Sequence, residues 1–447
     1  SSILPKANRN YSYPGGSLSI IMSDIFPQLK GNFLSYWKLR SSLASTARLP
    51  DPYMNQSNFV PTFTSAPPSV IPLQYSFYGT NLNLKPETQS TYEIGTEARL
   101  LNDRVTVDFA YYNTLARDQI AQGFRASYGA GYVLYTNNNS SVRNQGVEVS
   151  LGIKPVRNKD FQWDMQFNFN HMWNTVLAIP PPIDIAGADY YDASTWLYNN
   201  ARGGLQKGRS TGTITSYGYR RQDLTPTGPN GVPANDGAIL ISPLTGLPVN
   251  DARFRVHGDR TVWFTLGITN RFQYKNWNLS FLWDTRVGGD IFNGTNMYLT
   301  TLGKSAKTAD RMTPRTVQGI IQNGFENSTN PTINTIQVTP YYNYLYYGSS
   351  AMPEEDYMEH NIKFIRLRDI TLSYTMSQKI LKRDWPGFKT MSFFITCNDL
   401  VLFTNYSGAD PATNGGNASL RGVGAVGFDY GNIAAPLSFN GGFRVGF

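Results

Sequence analysis

Few stretches of this 447-residue chain combine residues that could do chemistry. The run from His257 to Arg260 holds a histidine, an aspartate and an arginine, but no nucleophile accompanies it. The acidic run at 353–356, Pro-Glu-Glu-Asp, offers the clustered carboxylates that calcium prefers, although two more ligands would be needed and a solvated acidic loop is the favoured interpretation. The single cysteine, Cys397, and three scattered histidines show no metal-ligand spacing. The sequence therefore predicts no catalytic residue, no metal site and no cofactor.

Two aromatic clusters offer binding chemistry instead, at 190–198 (YYDASTWLY) and at 341–347 (YYNYLYY). Aromatic side chains can stack on sugar rings or anchor a partner protein, because they bury much apolar area with little loss of side-chain freedom. Packing of long loops on each other remains the alternative interpretation for both clusters. The candidate substrate-binding or lid-binding residues are Tyr190, Tyr191, Trp196, Tyr198, Tyr341, Tyr342, Tyr344, Tyr346 and Tyr347.

The composition indicates an outer surface that is partly not in water. Charged residues make up 16% of the chain, below the roughly 25% typical of soluble domains, and aromatics reach 14%. No apolar run approaches the roughly 18 residues of a spanning helix. The net charge of +8 is not gathered into long basic runs, so no nucleic-acid partner is predicted.

Alternation of apolar and polar residues is the main structural signal. In the stretch 161–170, FQWDMQFNFN, every second residue is large and apolar, which gives a strand one apolar and one polar face. Similar stretches recur along the chain and predict about 11 strands of about 9–14 residues. The residues predicted to face lipid are Phe161, Trp163, Met165, Phe167, Phe169, Trp277 and Trp283.

Connections between these strands alternate in length. Short ones are predicted near 27–32, 101–103, 155–160, 274–276 and 378–388, and long ones at 46–90, 117–143, 173–260, 289–363 and 398–436. The stretch 211–221 is placed in a long loop, since a spanning strand there would break the alternation. Soluble domains rarely carry several such loops, whereas outer-membrane barrels have short periplasmic turns and long extracellular loops. The prediction is an all-β, transmembrane antiparallel β-barrel in the outer membrane.

The final strand is expected to run towards the periplasm and to end in Phe447 on its apolar face. A terminal aromatic residue of this kind is read by the barrel assembly machinery. An odd strand count and a first strand that already descends predict that residues 1–447 are only part of a barrel. The remainder is expected upstream of Ser1 or on another chain.

Several motifs carry a family resemblance. From Leu84 the chain reads LKPETQSTYEIGTEARLLNDRVTVDFAYYNTLARDQI, followed by RNQGVEVSLG (143–152), LSFLWDTRVGGDIFNGT (279–295) and FIRLRDITLSYTM (364–376), with YWKLRSSLAST (36–46) before them. In this order they resemble the late-barrel blocks of SusC/RagA-type TonB-dependent outer-membrane transporters. The resemblance implies a barrel of 22 strands, of which this chain would be the C-terminal portion. Signal peptide, plug and early strands would then lie outside it.

The resemblance also implies partners and an activity. Members of the family import nutrient oligomers, oligosaccharides or peptides, with a SusD-like surface lipoprotein as lid and TonB-ExbB-ExbD acting through the N-terminal part. Lumen-facing Asp164, Glu148, Arg366 and Arg368 could contact substrate or plug, although solvated or paired groups are the favoured interpretation. A barrel scaffold in a larger surface or secretion assembly and a soluble carbohydrate-binding or hydrolytic protein remain the alternatives.

Overall fold

A computed structural model describes residues 3–52, 83–125, 134–179, 201–225, 233–251, 253–385, 387–412 and 426–446. It also describes the backbone of short strands at 59–61, 73–75, 78–79 and 190–191. None of the helices in these ranges is long and apolar enough to span a membrane.

Eleven long antiparallel strands form one sheet, and each pairs with its neighbours along the chain. This matches the number of strands predicted from the alternating pattern. The strands are β1 (Gly15–Ile21), β2 (Leu34–Arg48), β3 (Glu87–Leu100), β4 (Val105–Arg125), β5 (Leu134–Arg157), β6 (Phe161–Ala178), β7 (Phe264–Tyr274), β8 (Trp277–Val287), β9 (Lys363–Thr375), β10 (Thr390–Thr404) and β11 (Ser438–Gly446).

The strand register places the apolar residues of neighbouring strands side by side. Phe167 of β6 lies opposite Leu151 of β5 and Ile268 of β7, and Phe281 of β8 lies opposite Ile370 of β9. A slip of one residue would move every apolar side chain to the other face, so this pattern fixes the register. Asn270 is a polar residue on the apolar face, and its Oδ1 accepts a hydrogen bond from Trp163 Nε1 at 3.1 Å.

The strands β4, β5 and β6 are longer than predicted, with 21, 24 and 18 residues. The prediction of a long connection at 117–143 is therefore wrong, because β4 reaches Arg125 and β5 starts at Leu134. This part is rich in Asn, Gln and Ser, which hides the alternation, yet backbone pairing continues through several register shifts. The hydrogen bonds between neighbouring backbones do not depend on an apolar face of the strands.

Connection lengths alternate between the two ends of the sheet. At one end the connections 101–104, 158–160 and 275–276 are tight turns, while the connection after β1 holds helix α1 (Met22–Ile25) and a 3-10 helix (Pro27–Leu29). The connection after β9 holds helix α3 (Gln378–Asp384). The other end carries the connections 49–86, 179–263, 288–362 and 405–437. Apart from 117–143, the predicted alternation of short and long connections is confirmed.

The long connections pack into a layer with its own small sheets and core. Buried residues from several of them form one cluster. Its members are Ala201, Ile214, Phe292, Met297, Tyr357, Met358 and Phe428. The stretch 211–221 contributes the buried strand Thr213–Ser216, which pairs with Arg202–Leu205 and Arg255–Asp259 and not with the large sheet. Its predicted place in a loop is confirmed.

Further short elements complete this loop layer. Strand Ile291–Asn293 lies between Met358–Glu359 and Phe428–Asp429, Leu240–Ile241 pairs with Ile320–Ile321, and Arg315–Thr316 pairs with Gln337–Val338. Tyr190–Tyr191 pairs with Arg202–Leu205, Phe59–Pro61 with Leu73–Tyr75, and Tyr78–Gly79 with β5. The helices are α2 (Gly294–Thr301) and the 3-10 turns Lys6–Asn8, Ala306–Thr308, Pro340–Tyr342 and Glu354–Tyr357.

Candidate functional site

A cleft of about 300 Å³ opens in the loop layer. Segments 304–317 and 341–352 form two of its walls, and residues 219 and 247–248 of another long connection close it. Its side chains combine aromatic rings (Tyr219, Tyr346, Tyr347), two cations (Lys307, Arg315) and apolar groups. Ligand sites have this make-up, a largely apolar lining with a few placed polar groups.

Local structure holds the two cationic residues in place. Lys307 lies on the 3-10 turn Ala306–Thr308, and its N–H donates a hydrogen bond to Ser305 Oγ. Arg315 starts the short strand that pairs with Gln337–Val338. Beneath them Leu247, Val338 and Ala351 form a buried cluster against which Tyr346 packs. The cleft therefore has a packed floor and defined walls.

The charges at the cleft are positive, and that of Lys307 is only loosely neutralised. Lys307 Nζ is 3.7 Å from an oxygen of Asp356 and 4.9 Å from the centre of the Tyr357 ring. Arg315 Nη2 is 2.9 Å from Asp310 Oδ1, and its guanidinium carbon is 5.8 Å from the centre of the Tyr346 ring. Burial raises the pKa of the Tyr346 hydroxyl, so this group stays neutral and able to donate a hydrogen bond. Among the described residues that line the cleft, none is acidic.

The back wall is held by the acidic run at 353–356. Glu355 accepts hydrogen bonds from Arg221 Nη2 at 2.6 Å and from the Tyr219 N–H at 2.8 Å, and Asp356 accepts one from the Tyr219 hydroxyl at 3.2 Å. Glu354 is only 2% exposed. These carboxylates join the long connections to each other, so the interpretation of 353–356 as a solvated acidic loop is wrong. The described residues contain no group of three or more potential ligand side chains that could hold a metal.

The predicted aromatic residues divide into three groups. Tyr346 and Tyr347 line the cleft. Tyr341, Tyr342 and Tyr344 lie outside it and are 59%, 77% and 91% exposed. For Tyr190 and Tyr191 only the backbone is described, in a short strand opposite Leu205 and Gly204, and Trp196 and Tyr198 lie outside the described residues.

Sequence reasoning missed Tyr219, Lys307 and Arg315. A signal was present, because segment 304–315 holds Lys304, Lys307, Arg311 and Arg315 at intervals of three or four residues. Nothing in the sequence shows, however, that this basic segment lies beside tyrosines some thirty residues later, or beside Tyr219 of a different connection.

The motif residues of the polar sheet face meet in two clusters. In the first, Arg40 of β2 forms a bidentate pair with Asp108 of β4 at 2.7 and 3.0 Å and lies 3.6 Å from Glu93 of β3. Beside it the Tyr112 ring lies over Gly146, where a Cβ atom would come within 2.5 Å of the tyrosine oxygen. This close approach explains the glycine in that motif and fixes the pairing of β4 with β5.

The second cluster surrounds Arg366, which is 2% exposed. Its Nη1 is 3.2 Å from Asp399 Oδ1, and its Nη2 pairs with Asp410. Arg368 bonds Asp284 at 2.8 Å. Both arginines are thus paired groups, as the favoured interpretation predicted, and they join β8, β9 and β10 to the connection that follows.

The seven residues predicted to face lipid occupy the apolar face of the sheet. Phe161 and Trp163 stack with Phe272 at centroid distances of 6.4 and 5.4 Å, and Trp277 packs with Tyr374 at 4.8 Å. These rings cluster near the end with the tight turns. An aromatic band beside short turns has the geometry of the girdle in a membrane barrel.

Comparison with known proteins defines the class. Residues 6–206 match the family model described as TonB dependent receptor-like, beta-barrel. Together with the antiparallel sheet, this match supports an outer-membrane β-barrel similar to those of the TonB-dependent receptor class. The resemblance to SusC/RagA-type receptors is confirmed.

Individual relatives support the same class over the whole chain. TonB-dependent receptor P3 of Formosa agariphila is 25% identical over 459 aligned residues, which cover 100% of this chain and 43% of the relative. TonB-dependent receptor SusC of Bacteroides thetaiotaomicron is 23% identical over 438 residues, 93% of this chain and 39% of SusC. The solved structure of the RagAB peptide transporter has the same fold, with a TM-score of 0.70 at 16% identity over 99% of this chain and 44% of that chain. The chain therefore spans less than half the length of these relatives.

Proposed function

We propose that this chain is the C-terminal barrel portion of a SusC-like receptor that imports nutrient oligomers across the outer membrane. The observation that carries the proposal is the similarity to SusC along nearly the whole chain, combined with an eleven-stranded sheet of two-faced strands. The long connections would lie outside the cell and receive the ligand, and the tight turns would lie in the periplasm. The apolar face, including Phe161, Phe167 and Trp277, would contact lipid.

The open edges of the sheet fit a barrel completed by other strands. Within the described residues β1 pairs only with β2, and β11 pairs only with β10. An unpaired edge cannot stand in hydrocarbon, because each free backbone group costs several kcal/mol there. We propose that early strands of the same receptor pair with these edges. Plug, TonB contact and signal peptide would belong to that portion, while the aromatic end of β11 stays a prediction, since Phe447 lies outside the described residues.

A SusD-like lipoprotein is the proposed lid, with oligosaccharides or peptides as ligands. The exposed run Tyr341, Tyr342 and Tyr344 supplies apolar surface of the kind that protein partners and sugar rings use. TonB-ExbB-ExbD would supply energy through the plug. The barrel assembly machinery would insert the chain.

Growth and binding measurements test the proposal. A strain that lacks the receptor should lose growth on one class of oligomer, and the purified receptor should carry a lid lipoprotein. Replacing Tyr341, Tyr342 and Tyr344 together by Ala should weaken ligand or lid binding about tenfold or more, since exposed aromatic anchors contribute most of such binding energy. The matched control is Tyr298→Ala, another loop tyrosine that is 66% exposed.

Two results would contradict the proposal. Unchanged affinity in a correctly assembled triple variant would remove these tyrosines from the binding surface. Unaltered growth on every oligomer, with other outer-membrane proteins bound in place of a lid, would favour a scaffold role in a surface assembly instead.

A further inference from the structure

We propose that the cleft walled by segments 304–317 and 341–352 binds an anionic sugar unit of an oligosaccharide ligand. The inference rests on the proposed import function and adds the chemical class of the ligand. In this arrangement Tyr346 and Tyr347 would pack against the sugar, while Lys307 and Arg315 would bind its carboxylate or sulfate.

Positive charge is available in the cleft. The Lys307 ammonium lies 3.7 Å from its nearest carboxylate oxygen, longer than the 2.7–2.9 Å of a close charged hydrogen bond. Its side chain is 45% exposed, so it can turn towards an anion. The partner of Arg315, Asp310, is 61% exposed, so solvent screens the attraction between them. Lys307 is thus the more loosely held cation, while Arg315 is bonded to Asp310 in a pair that is open to solvent.

Several backbone groups of the cleft walls are already bonded to other parts of the chain. The N–H of Tyr219 donates to Glu355, and its carbonyl accepts from Asn235. The carbonyl of Val317 accepts from Asn334. The backbone N–H groups of Tyr346, Ala351 and Met352 are bonded within their own turns. A peptide main chain binds an extended site mainly through free backbone groups of a strand edge, and the backbone groups named here are already bonded.

The rings of Tyr346 and Tyr347 offer surfaces on which a sugar could pack. Tyr346 and Tyr347 lie edge to face with centroids 5.0 Å apart, so they present two surfaces at a steep angle. The Tyr347 hydroxyl is buried and makes no hydrogen bond within the part of the chain that the structure describes. A sugar ring offers C–H faces that pack on such rings. A cleft of about 300 Å³ is at the small end of ligand sites, suited to one or two units of a longer chain.

The experiment measures binding of oligosaccharides to the receptor purified from outer membranes with its accompanying chains. The probes are tetramers of galacturonate, glucuronate, mannuronate and sulfated galactose, each beside its carboxyl-reduced or desulfated counterpart, and tetra-aspartate as a peptide of equal charge. We expect an anionic tetramer to bind more tightly than its neutral counterpart, with an advantage that falls as salt is raised. Lys307→Gln and Arg315→Gln should each weaken its binding about tenfold and leave the neutral counterpart unchanged. Lys304→Gln removes an exposed cation from the same segment and is the matched control.

The outcomes separate this inference from the proposed import function. Equal effects of Lys304→Gln and Lys307→Gln would show a general charge effect and overturn the cleft assignment. Preference for tetra-aspartate or for a neutral tetramer would overturn the sugar chemistry while import remained. If the receptor bound no oligomer and no growth depended on it, the import proposal would fail as well. Folding of each variant is checked by the heat-dependent mobility of the barrel in detergent gels.

Discussion

Single charged residues serve two purposes here, and their burial distinguishes them. Arg366 is almost fully buried and its pairs with Asp399 and Asp410 join strand to loop. Removing one partner of such a pair leaves an uncompensated charge, which typically costs about 3–5 kcal/mol. The pairs of Lys307 and Arg315 are partly exposed and screened by solvent, so they contribute little to stability and leave both cations accessible to a ligand.

A pH-dependent pair of residues lies at the base of the connection 288–362. His360 Nδ1 lies 3.2 Å from Asp290, which also accepts the N–H groups of Asp259 and Asn361. The hydrogen bond to Asp290 raises the pKa of His360. Burial favours a higher pKa for Asp290, but His360 and the two backbone N–H groups outweigh it, so the pKa of this carboxyl is lowered.

The His360→Gln variant should show at which pH the pair of His360 and Asp290 stabilises the fold. A raised histidine pKa gives stability that is complete below the unfolded value of 6.5 and is lost as pH rises through the folded value. A lowered aspartate pKa gives stability above 3.8 that is lost as pH falls through its folded value. Hydrogen exchange at 288–292 and 358–362 should therefore be faster in the variant near pH ~5.5 and equal to wild type near pH ~9. The effect should stay below ~1 kcal/mol because His360 is 61% exposed. A difference that grows with pH would contradict this assignment.

At the scale of elements, glycine contacts position the strands. Gly146 admits the ring of Tyr112, and Gly442 of β11 admits the ring of Phe394 of β10, where a Cβ would approach to 2.8 Å. A large ring can pack over a glycine of the neighbouring strand because the glycine has no side chain in its way. The same arrangement is used in designed sheets. It operates at both the β4–β5 and the β10–β11 pairs.

The Gly146→Val variant tests this role. The added side chain must displace the Tyr112 ring, which should cost about 1–3 kcal/mol, as overpacking usually does. The matched control is Gly267→Val on the same polar face, where a Cβ would meet only Leu282 Cδ1 at 3.8 Å. Detergent-gel unfolding should show a lower midpoint for the first variant and little change for the second. Equal midpoints would mean that the Tyr112 contact does not fix the pairing.

At the scale of the whole molecule, one apolar face continues across eleven strands while the other carries ion pairs. In a soluble sheet of this size the apolar face would need a second layer to cover it. The loop layer does not lie against it, since Leu18, Ile94, Ile395 and Phe443 of the apolar face are 61%, 45%, 64% and 70% exposed. In outer-membrane receptors of this class, membrane lipid covers such an apolar face.

Two neighbouring substitutions in β6 test which face of the sheet contacts lipid. Phe167→Arg should cost about 2–4 kcal/mol, because an arginine on the lipid face near mid-membrane loses its hydration. Asn168→Arg, one residue further, should be nearly neutral, since its side chain lies on the polar face with Gln166 and Ser150. The measurement is the amount of folded receptor in the outer membrane and its unfolding midpoint in lipid. Equal tolerance of both arginines would exclude contact of this face with lipid.

The sequence by itself determined the eleven strands, their two faces and the family. A strand shows its faces as a period of two, and the residues at 161–170 keep that period throughout. The pattern was lost at 117–143, although the pairing of β4 with β5 reaches into this stretch through several register shifts.

Only the tertiary structure decided which loop residues meet. Lys307, Arg315, Tyr346 and Tyr219 come from different segments of two long connections. Their proximity depends on the buried cluster of Leu247, Val338 and Ala351 and on the hydrogen bonds of Glu355 and Asp356. Such long-range packing leaves no local period in a sequence. The proximity of these residues is therefore visible only in the folded chain, whereas the strand pattern is already visible in the sequence.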